Sequence, residues 1–190
     1  MEIEKMQERL KKVLNEHRYN HSIGVMTEAV RMAEIFGQDT EKARVAGLLH
    51  DCAKYLGAEE AKVLAAAYGI ELDKDTLNCP PVIHAPVGAI IANREYKVTD
   101  TDILEAIKNH TVANVNMSKL SKIIYVADMT EPSRDFSGVD EIREASKSDL
   151  DKAYRLAIKS SLMHSINKNG YIHPMSILAW NEINKGGEKK

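Results

Sequence analysis

Aromatic residues are scarce in this chain: one Trp, two Phe and seven Tyr, or 5% of 190 residues. Strands draw heavily on aromatic and β-branched side chains, so the shortage argues against a sheet protein. No segment shows the polar–apolar alternation of a half-buried strand. Cysteine is also nearly absent. Cys52 and Cys79 are the only two and form no Cys-x-x-Cys motif. That excludes a disulfide scaffold and makes a reducing compartment the expectation. No apolar run approaches the ~20 residues that a membrane span requires. The charged, amphipathic stretch Met1 to Lys12 does not read as a secretory signal. A cytoplasmic location without a membrane partner is therefore expected. Neither sign of charge is in excess, since 26 Lys and Arg against 28 Asp and Glu leave −2. Binding to nucleic acid through net charge is not expected either. No repeat and no low-complexity linker is present, and nothing in the pattern fixes the oligomeric state; a homodimer is compatible with it.

What the chain has in quantity is Ala, Leu, Glu, Lys and Met, all good helix formers. Hydrophobic residues make up 44% of the chain, enough at this length for one sizeable core. A first helix is expected from about Ile3 to Asn15. A second runs from about His21 to Phe36, with Met26, Ala29, Val30 and Ala33 at helical spacing and Gly37 as its stop. Asp39 or Thr40 caps a third, which carries Ala43, Ala46, Gly47 and His50 along one stripe. The small Ala46 and Gly47 would let another helix approach closely. A fourth spans Ala58 to Tyr68. The stretch Leu72 to Pro81 reads as irregular because of its two prolines. Pro86 suits the first turn of the next helix. Thr99 with Asp102 resembles a capping box for a helix to His110. Ser118 caps a helix through Met129, and Pro132 breaks it. Ser148 with Asp151 opens a long helix to Asn169, and a last one runs from Met175 to Asn184. The expected fold is one all-α domain over residues 1–184, a helical bundle, with 185–190 as a disordered tail.

His50-Asp51 follows directly on the apolar run Ala46-Gly-Leu-Leu. Neighbouring side chains on a helix diverge by about 100°, so the two do not pair well with each other. They are placed to grip one metal ion, or two ions between them. His21, His84, His110 and Asp128 stand on other segments, and a helical bundle can aim such residues at one internal point. Asp128 lies in the otherwise apolar Ile123-Ile-Tyr-Val-Ala-Asp128, where a carboxylate is costly unless it is paired or bound to a cation. Taken singly, each histidine reads as a cap or a surface residue, and Asp128 as the partner of an Arg. Spacing alone leaves His17 open as a ligand, four residues before His21. The other residues have plain structural readings. Cys52 is a small core residue, Trp180 docks the last helix, His164 faces solvent, His173 belongs to a loop, and Arg143 supports its own helix.

The ordered set resembles the HD-domain metal phosphohydrolases, and more narrowly the bacterial symmetrical bis(5'-nucleosyl)-tetraphosphatases of the YqeK type. The resemblance rests on Arg18-Tyr-Asn-His21-Ser-Ile-Gly-Val25, Ala46-Gly-Leu-Leu-His50-Asp51-Cys-Ala-Lys54 and His84-Ala-Pro-Val-Gly-Ala89. It continues through Ala106-Ile-Lys-Asn-His110-Thr111, the segment Met117 to Asp128, Glu131-Pro-Ser-Arg134 and Gly138-Val-Asp-Glu-Ile-Arg143. The chain departs at one place. The family usually has His-Thr-Thr-Gly where this sequence has His110-Thr111-Val112-Ala113, a change expected to alter the turn lining the substrate pocket.

The resemblance implies a dinuclear metal site in the bundle core. His21, His50, Asp51 and Asp128 would hold one ion; His84, His110 and the shared Asp51 would hold the other. Mixed imidazole and carboxylate ligands suit iron, manganese, cobalt or zinc, and the family points to iron, divalent or mixed-valent. The implied reaction is hydrolysis of diadenosine tetraphosphate to two ADP by a metal-activated hydroxide, with Asp51 and Lys54 as catalytic residues. Arg18, Lys54, His84, Thr111 and Arg134 would contact the nucleotide, the arginines through their phosphate-matching fork. Arg134 has a structural alternative, as the partner of Glu131 or Asp135. Two other readings of the chain remain beside the first. One is a phosphohydrolase for a nucleoside monophosphate or cyclic nucleotide; the other is a metal-bound regulatory domain without turnover.

Overall fold

The computed structural model describes residues 1–185; residues 186–190, most of the expected tail, lie outside the described residues. Among the described residues all regular structure is helical. α1 (Ile3–Val13) buries Met6 and Leu10 along one face. α2 (Glu16–Ile35) starts earlier than its apolar spacing suggests, because the Asn15 side chain accepts the Arg18 N–H at 2.9 Å. His21 is therefore inside α2, not at its start. α3 (Thr40–Leu49) is capped by Asp39, whose carboxylate accepts the N–H groups of Glu41 and Lys42. After Leu49 the chain leaves the α-helix. Tight turns follow, in which Cys52, Lys54 and Leu56 each bond back three residues.

α4 (Ala58–Ala67) begins at Gly57, where the Glu60 carboxylate accepts the Gly57 N–H at 2.8 Å. The stretch expected to be irregular holds a single turn, α5 (Lys74–Leu77), and a 3₁₀ turn at Pro80–Val82. α6 (His84–Arg94) carries Pro86 in its first turn. α7 (Thr101–Asn109) is capped by Asp100, not Thr99. α8 (Lys119–Thr130) is capped by Ser118, and Pro132 follows its end. The short α9 (Val139–Ala145) carries Arg143. α10 (Leu150–Asn167) is capped by Asp149, not Ser148. In α11 (Pro174–Ile183) the cap is His173, whose Nδ1 accepts the Met175 N–H at 3.2 Å.

The core is aliphatic and rich in alanine, with Leu10, Met32, Leu48, Leu49, Ile91, Ile107, Ile123 and Ile124 fully enclosed. α2 packs along α3 and α8; α7 packs on α3, α6 and α8; α10 backs α8 and α9. The α2–α3 approach depends on Gly47. A Cβ placed there would lie 2.9 Å from the Met26 Cα and 3.1 Å from the Val25 carbonyl oxygen. Those are backbone atoms, which cannot swing away. Trp180 packs partly buried against this core, as a docking residue of α11. Among the described residues no helix is long and apolar enough to cross a membrane.

A candidate metal centre at the helix ends

Helices that end at one point bring their terminal side chains together. His50 and His110 are the C-cap residues of α3 and α7, His84 opens α6, His21 lies in the second turn of α2, and Asp128 lies near the end of α8. Asp51 follows His50 in the first turn after α3. The four imidazoles and Asp51 are all buried, and Asp128 is partly so. Their ligating atoms fall into three overlapping groups: His21, His50 and Asp51; His50, His110 and Asp128; Asp51, His84 and His110. Within each group these atoms lie within 4.8 Å of one another.

The histidine tautomers follow from the hydrogen bonds. A helix leaves its last carbonyls without intrahelical partners. The Nδ1–H of His50 donates to the Gly47 carbonyl at 2.8 Å, and that of His110 to the Ile107 carbonyl at 2.7 Å. His84 does the same to Pro81 in the 3₁₀ turn, at 2.8 Å. His21 differs, donating from Nδ1 to the Glu131 carboxylate at 3.1 Å. Every Nε2 then offers a lone pair turned inward. His21 and His50 face each other at 3.2 Å between Nε2 atoms, and so do His84 and His110. Such lone pairs repel each other without a cation between them. Asp51 Oδ1 lies 3.1 Å from His84 Nε2 and 3.4 Å from His110 Nε2, while Asp128 Oδ1 lies 3.0 Å from His21 Nε2. Four inward imidazole nitrogens with two carboxylates suit divalent first-row cations, and α3 and α7 present the negative ends of their dipoles there. The donor set fits ions of that kind.

The protonation equilibria carry the same signature. Burial drives the His50 pKa down to about 4, against the pull of Asp51 and Asp128. His84 is lowered as well, again by burial first. His21 goes the other way. Burial pulls it down, but the Asp128 carboxylate outweighs burial, and Glu131 adds to the rise. Asp51 and Asp128 are held well below the ordinary carboxylate range. Burial alone would raise both, and the surrounding imidazoles, with Lys54 beside Asp51 and Arg134 beside Asp128, overcome it. At neutral pH both carboxylates are therefore anions.

Beside the cluster opens a cavity of about 840 Å³, within the ~300–1,000 Å³ range of small-molecule sites. Arg18, His21, Asp51, Lys54, Glu131 and Arg134 line one part of it; Phe136, Ser160, Ser161 and His164 line another. Lys54 reaches it although α3 does not continue past Leu49. The tight turn sets its Nζ 3.0 Å from His84 Nε2 and 3.5 Å from Asp51 Oδ1. Arg134 donates from Nε to the Asp128 carbonyl at 2.6 Å and pairs through Nη2 with the Asp128 carboxylate. Its main partner is thus Asp128, while Glu131, one of its two alternative partners, lies 4.0 Å from its Nε. Thr111 stands apart from this cavity. It lines a separate cavity of about 350 Å³ with His173 and Met175, and its buried Oγ1 has no hydrogen-bond partner.

The departure after His110 falls there too. Val112 and Ala113 line the smaller cavity, not the main one, and Ser176 of α11 donates to the Val112 carbonyl at 2.8 Å. Ala113 keeps a left-handed turn at φ 63°, a conformation glycine takes freely and other residues hold at a cost of about 1–2 kcal/mol.

Three further lining residues lie outside the expected ligand set. His17 stands at the rim, outside the cluster that contains His21. His164 is exposed, as expected, but exposed into the cavity. Glu131, only 2% exposed, follows the helix that carries Asp128; the motif was visible but its burial was not. Cys52 is a core residue as expected, and Arg143 is structural, though it supports the segment before its helix rather than the helix itself. The Cys52 thiol donates to the Gly88 carbonyl, and Arg143 holds the carbonyls of Thr130, Glu131 and Arg134.

A helical bundle whose core gathers His and Asp side chains from several helices defines a class of metal-binding α proteins. The HD-domain family model matches residues 18–133. A Bacillus subtilis protein named symmetrical bis(5'-nucleosyl)-tetraphosphatase is 42% identical over 93% of this chain and 95% of its own. A Staphylococcus aureus protein of the same name is 36% identical over 100% and 98%. A Clostridium acetobutylicum crystal structure, described as a predicted HD-superfamily hydrolase involved in NAD metabolism, superposes with a TM-score of 0.94 at 41% identity. It covers 98% of each chain. The chain belongs to the HD-domain family and, within it, to the group of these bacterial tetraphosphatases.

Proposed function

We propose that this protein hydrolyses diadenosine tetraphosphate symmetrically, yielding two ADP. Water attacks a phosphorus beside the central anhydride oxygen; that P–O bond breaks, and ADP departs from each side. The observation that carries the reading is the joining of the inward-facing His and Asp cluster to a cavity lined by cationic side chains. Two ions in the cluster would neutralise phosphate charge and lower the pKa of a water at neutral pH. We assign His21, His50, Asp51 and Asp128 to one ion and His84, His110 and Asp51 to the other, with iron as the metal. The shared position of Asp51 explains why it must be contiguous with His50.

The remaining roles follow from charge and position. Lys54 places an ammonium beside Asp51 and His84, where it can bind a phosphate oxygen and steady the departing ADP. Arg18 offers a second phosphate contact, and Arg134 a third when it turns from Asp128. Phe136, with Ser160 and Ser161, offers the nucleoside an apolar face and hydroxyl groups. ADP is a stable leaving group, so no strong general acid is needed. Two free cysteines accord with a reducing, cytoplasmic setting.

The test is direct. Purified protein with its metals quantified is given diadenosine tetraphosphate, and the products are separated. ADP alone and about two ions per chain, with iron predominant, are expected. ATP with AMP would overturn symmetrical cleavage. Turnover of nucleoside monophosphates only, or full metal without turnover, would overturn the substrate assignment.

A further inference from the structure

Three of the four clustered histidines donate from Nδ1 to neutral backbone carbonyls, whereas His21 alone donates to a buried anion. That anion is deliberately housed. The Ser133 N–H donates to Glu131 Oε2 at 2.8 Å, and the Ser133 hydroxyl donates to Oε1. Arg143 fixes the backbone behind it, bonding the Glu131 carbonyl at 3.1 Å. The opposite wall is Gly24, where a Cβ would lie 2.7 Å from Oε2. A side chain on α2 at that position would push the carboxylate off His21.

We propose that Glu131 is a positioning residue: it locks His21 in the Nδ1–H tautomer and, by its charge, makes the ion held by His21 the tighter of the two. This rests on the ligand assignment above. A carboxylate behind a ligating imidazole orients the ring and raises its basicity. The charges around the cluster point the same way. Apart from the shared Asp51, the His21 side has Asp128 and Glu131 against Arg134. The His84 side has Lys54 alone, at 3.0 Å from His84 Nε2. The two positions thus differ in local charge by two units of sign, −1 against +1, in favour of a cation beside His21.

Glu131→Gln isolates the effect, because the amide has the same shape. If its oxygen stays on the Ser133 N–H, its NH₂ faces His21 Nδ1 and forces the wrong tautomer. If it flips, the NH₂ meets the Ser133 N–H. Either arrangement removes the charge. Metal-stripped protein is titrated with manganese(II) by calorimetry and by chelator competition. The wild type should bind two ions of unequal affinity, and His84→Ala should keep the tighter one. Glu131→Gln should weaken that ion about ten- to a hundred-fold, and in a His21→Ala background the further loss should be much smaller, since only the long-range charge effect is left. A purely structural role would add its loss in both backgrounds. Should Glu131→Gln fold poorly by thermal melting, Gly24→Ala keeps the charge but displaces it, and should weaken the same ion.

Unchanged affinities in Glu131→Gln would overturn the proposal. So would a loss confined to the ion that His84→Ala removes, or an undiminished loss without His21. A wild type that binds no stoichiometric ions would instead overturn the ligand assignment beneath it.

Discussion

Gly47 should be the least replaceable helical glycine of the α2–α3 interface, and Gly47→Ala tests how tightly that interface sets the site. The new Cβ would sit 2.9 Å from the Met26 Cα, 3.1 Å from the Val25 oxygen and 3.2 Å from the Ala29 Cβ. None of these atoms is the end of a flexible side chain, so α2 and α3 must separate. Overpacking of this kind costs about 1–3 kcal/mol, and contact with backbone places it in the upper half. Alanine returns about 1 kcal/mol through its helix propensity. The net loss is about 1–2 kcal/mol, and at about 2–4 °C per kcal/mol for a domain of this size the melting temperature should fall by about 2–8 °C. Gly88→Ala is the matched control. Its Cβ would meet Ile107 Cγ2 at 3.4 Å and the His50 carbonyl at 3.5 Å, near-ordinary contacts. Only the propensity gain should remain, so Gly88→Ala should melt no lower than wild type. The His21–His50 contact spans the separated helices, so Gly47→Ala should also weaken metal binding while Gly88→Ala does not. Equal melting temperatures for the two variants would refute the reasoning.

Other perturbations have outcomes as definite. Asp51→Ala should lose both ions by elemental analysis while keeping its helical circular dichroism; one retained ion would remove Asp51 from the shared position. Lys54→Ala should keep both ions and lose about 10²–10³-fold in kcat on diadenosine tetraphosphate, the usual cost of deleting one charge-stabilising donor. In metal-free protein, His50 has a folded pKa of about 4 against an ordinary 6.5. The unfolded chain then binds more protons between those values, so stability must fall as pH drops through that window, by up to about 3 kcal/mol from His50 alone. His84 acts in the same direction and His21 opposes it. Urea unfolding of chelator-treated protein from pH 7 to 4.5 measures the slope, and His50→Gln should flatten it.

The helical fold was legible because its signals are local. Asp39 and Ser118 cap α3 and α8 where the sequence places them, and Ala46-Gly47 marks a close helix approach. The misplaced starts have a common cause. At α7 and α10 the neighbouring Asp100 and Asp149 supply the cap, since an Asp beside a candidate Thr or Ser competes for the same orphan N–H groups. The first turn of α2 is polar because it borders the cavity rather than the core, so apolar spacing could not reveal it. The cluster was readable as an ordered set of residues, six positions now found within one small volume. Its outer support was not. Nothing local distinguishes Glu131 from a surface carboxylate until Gly24, Ser133 and His21 are seen around it. His164, with Ser160 and Ser161, reaches the cavity from α10, a placement that only packing decides.

His50 and His110 bond the last carbonyls of α3 and α7, so the same two rings finish the helices and face the cluster. Occupancy of the centre and fraying of those helix ends are therefore one equilibrium. Each ion bound to the closed form should stabilise it by RT ln(1 + [M]/Kd). Chelation should accordingly release amide protons first around Leu49 and Asn109, with α1, remote from the cluster, left protected. In hydrogen exchange the metal would act as a terminal clasp on two helices rather than as a weight added to the whole fold.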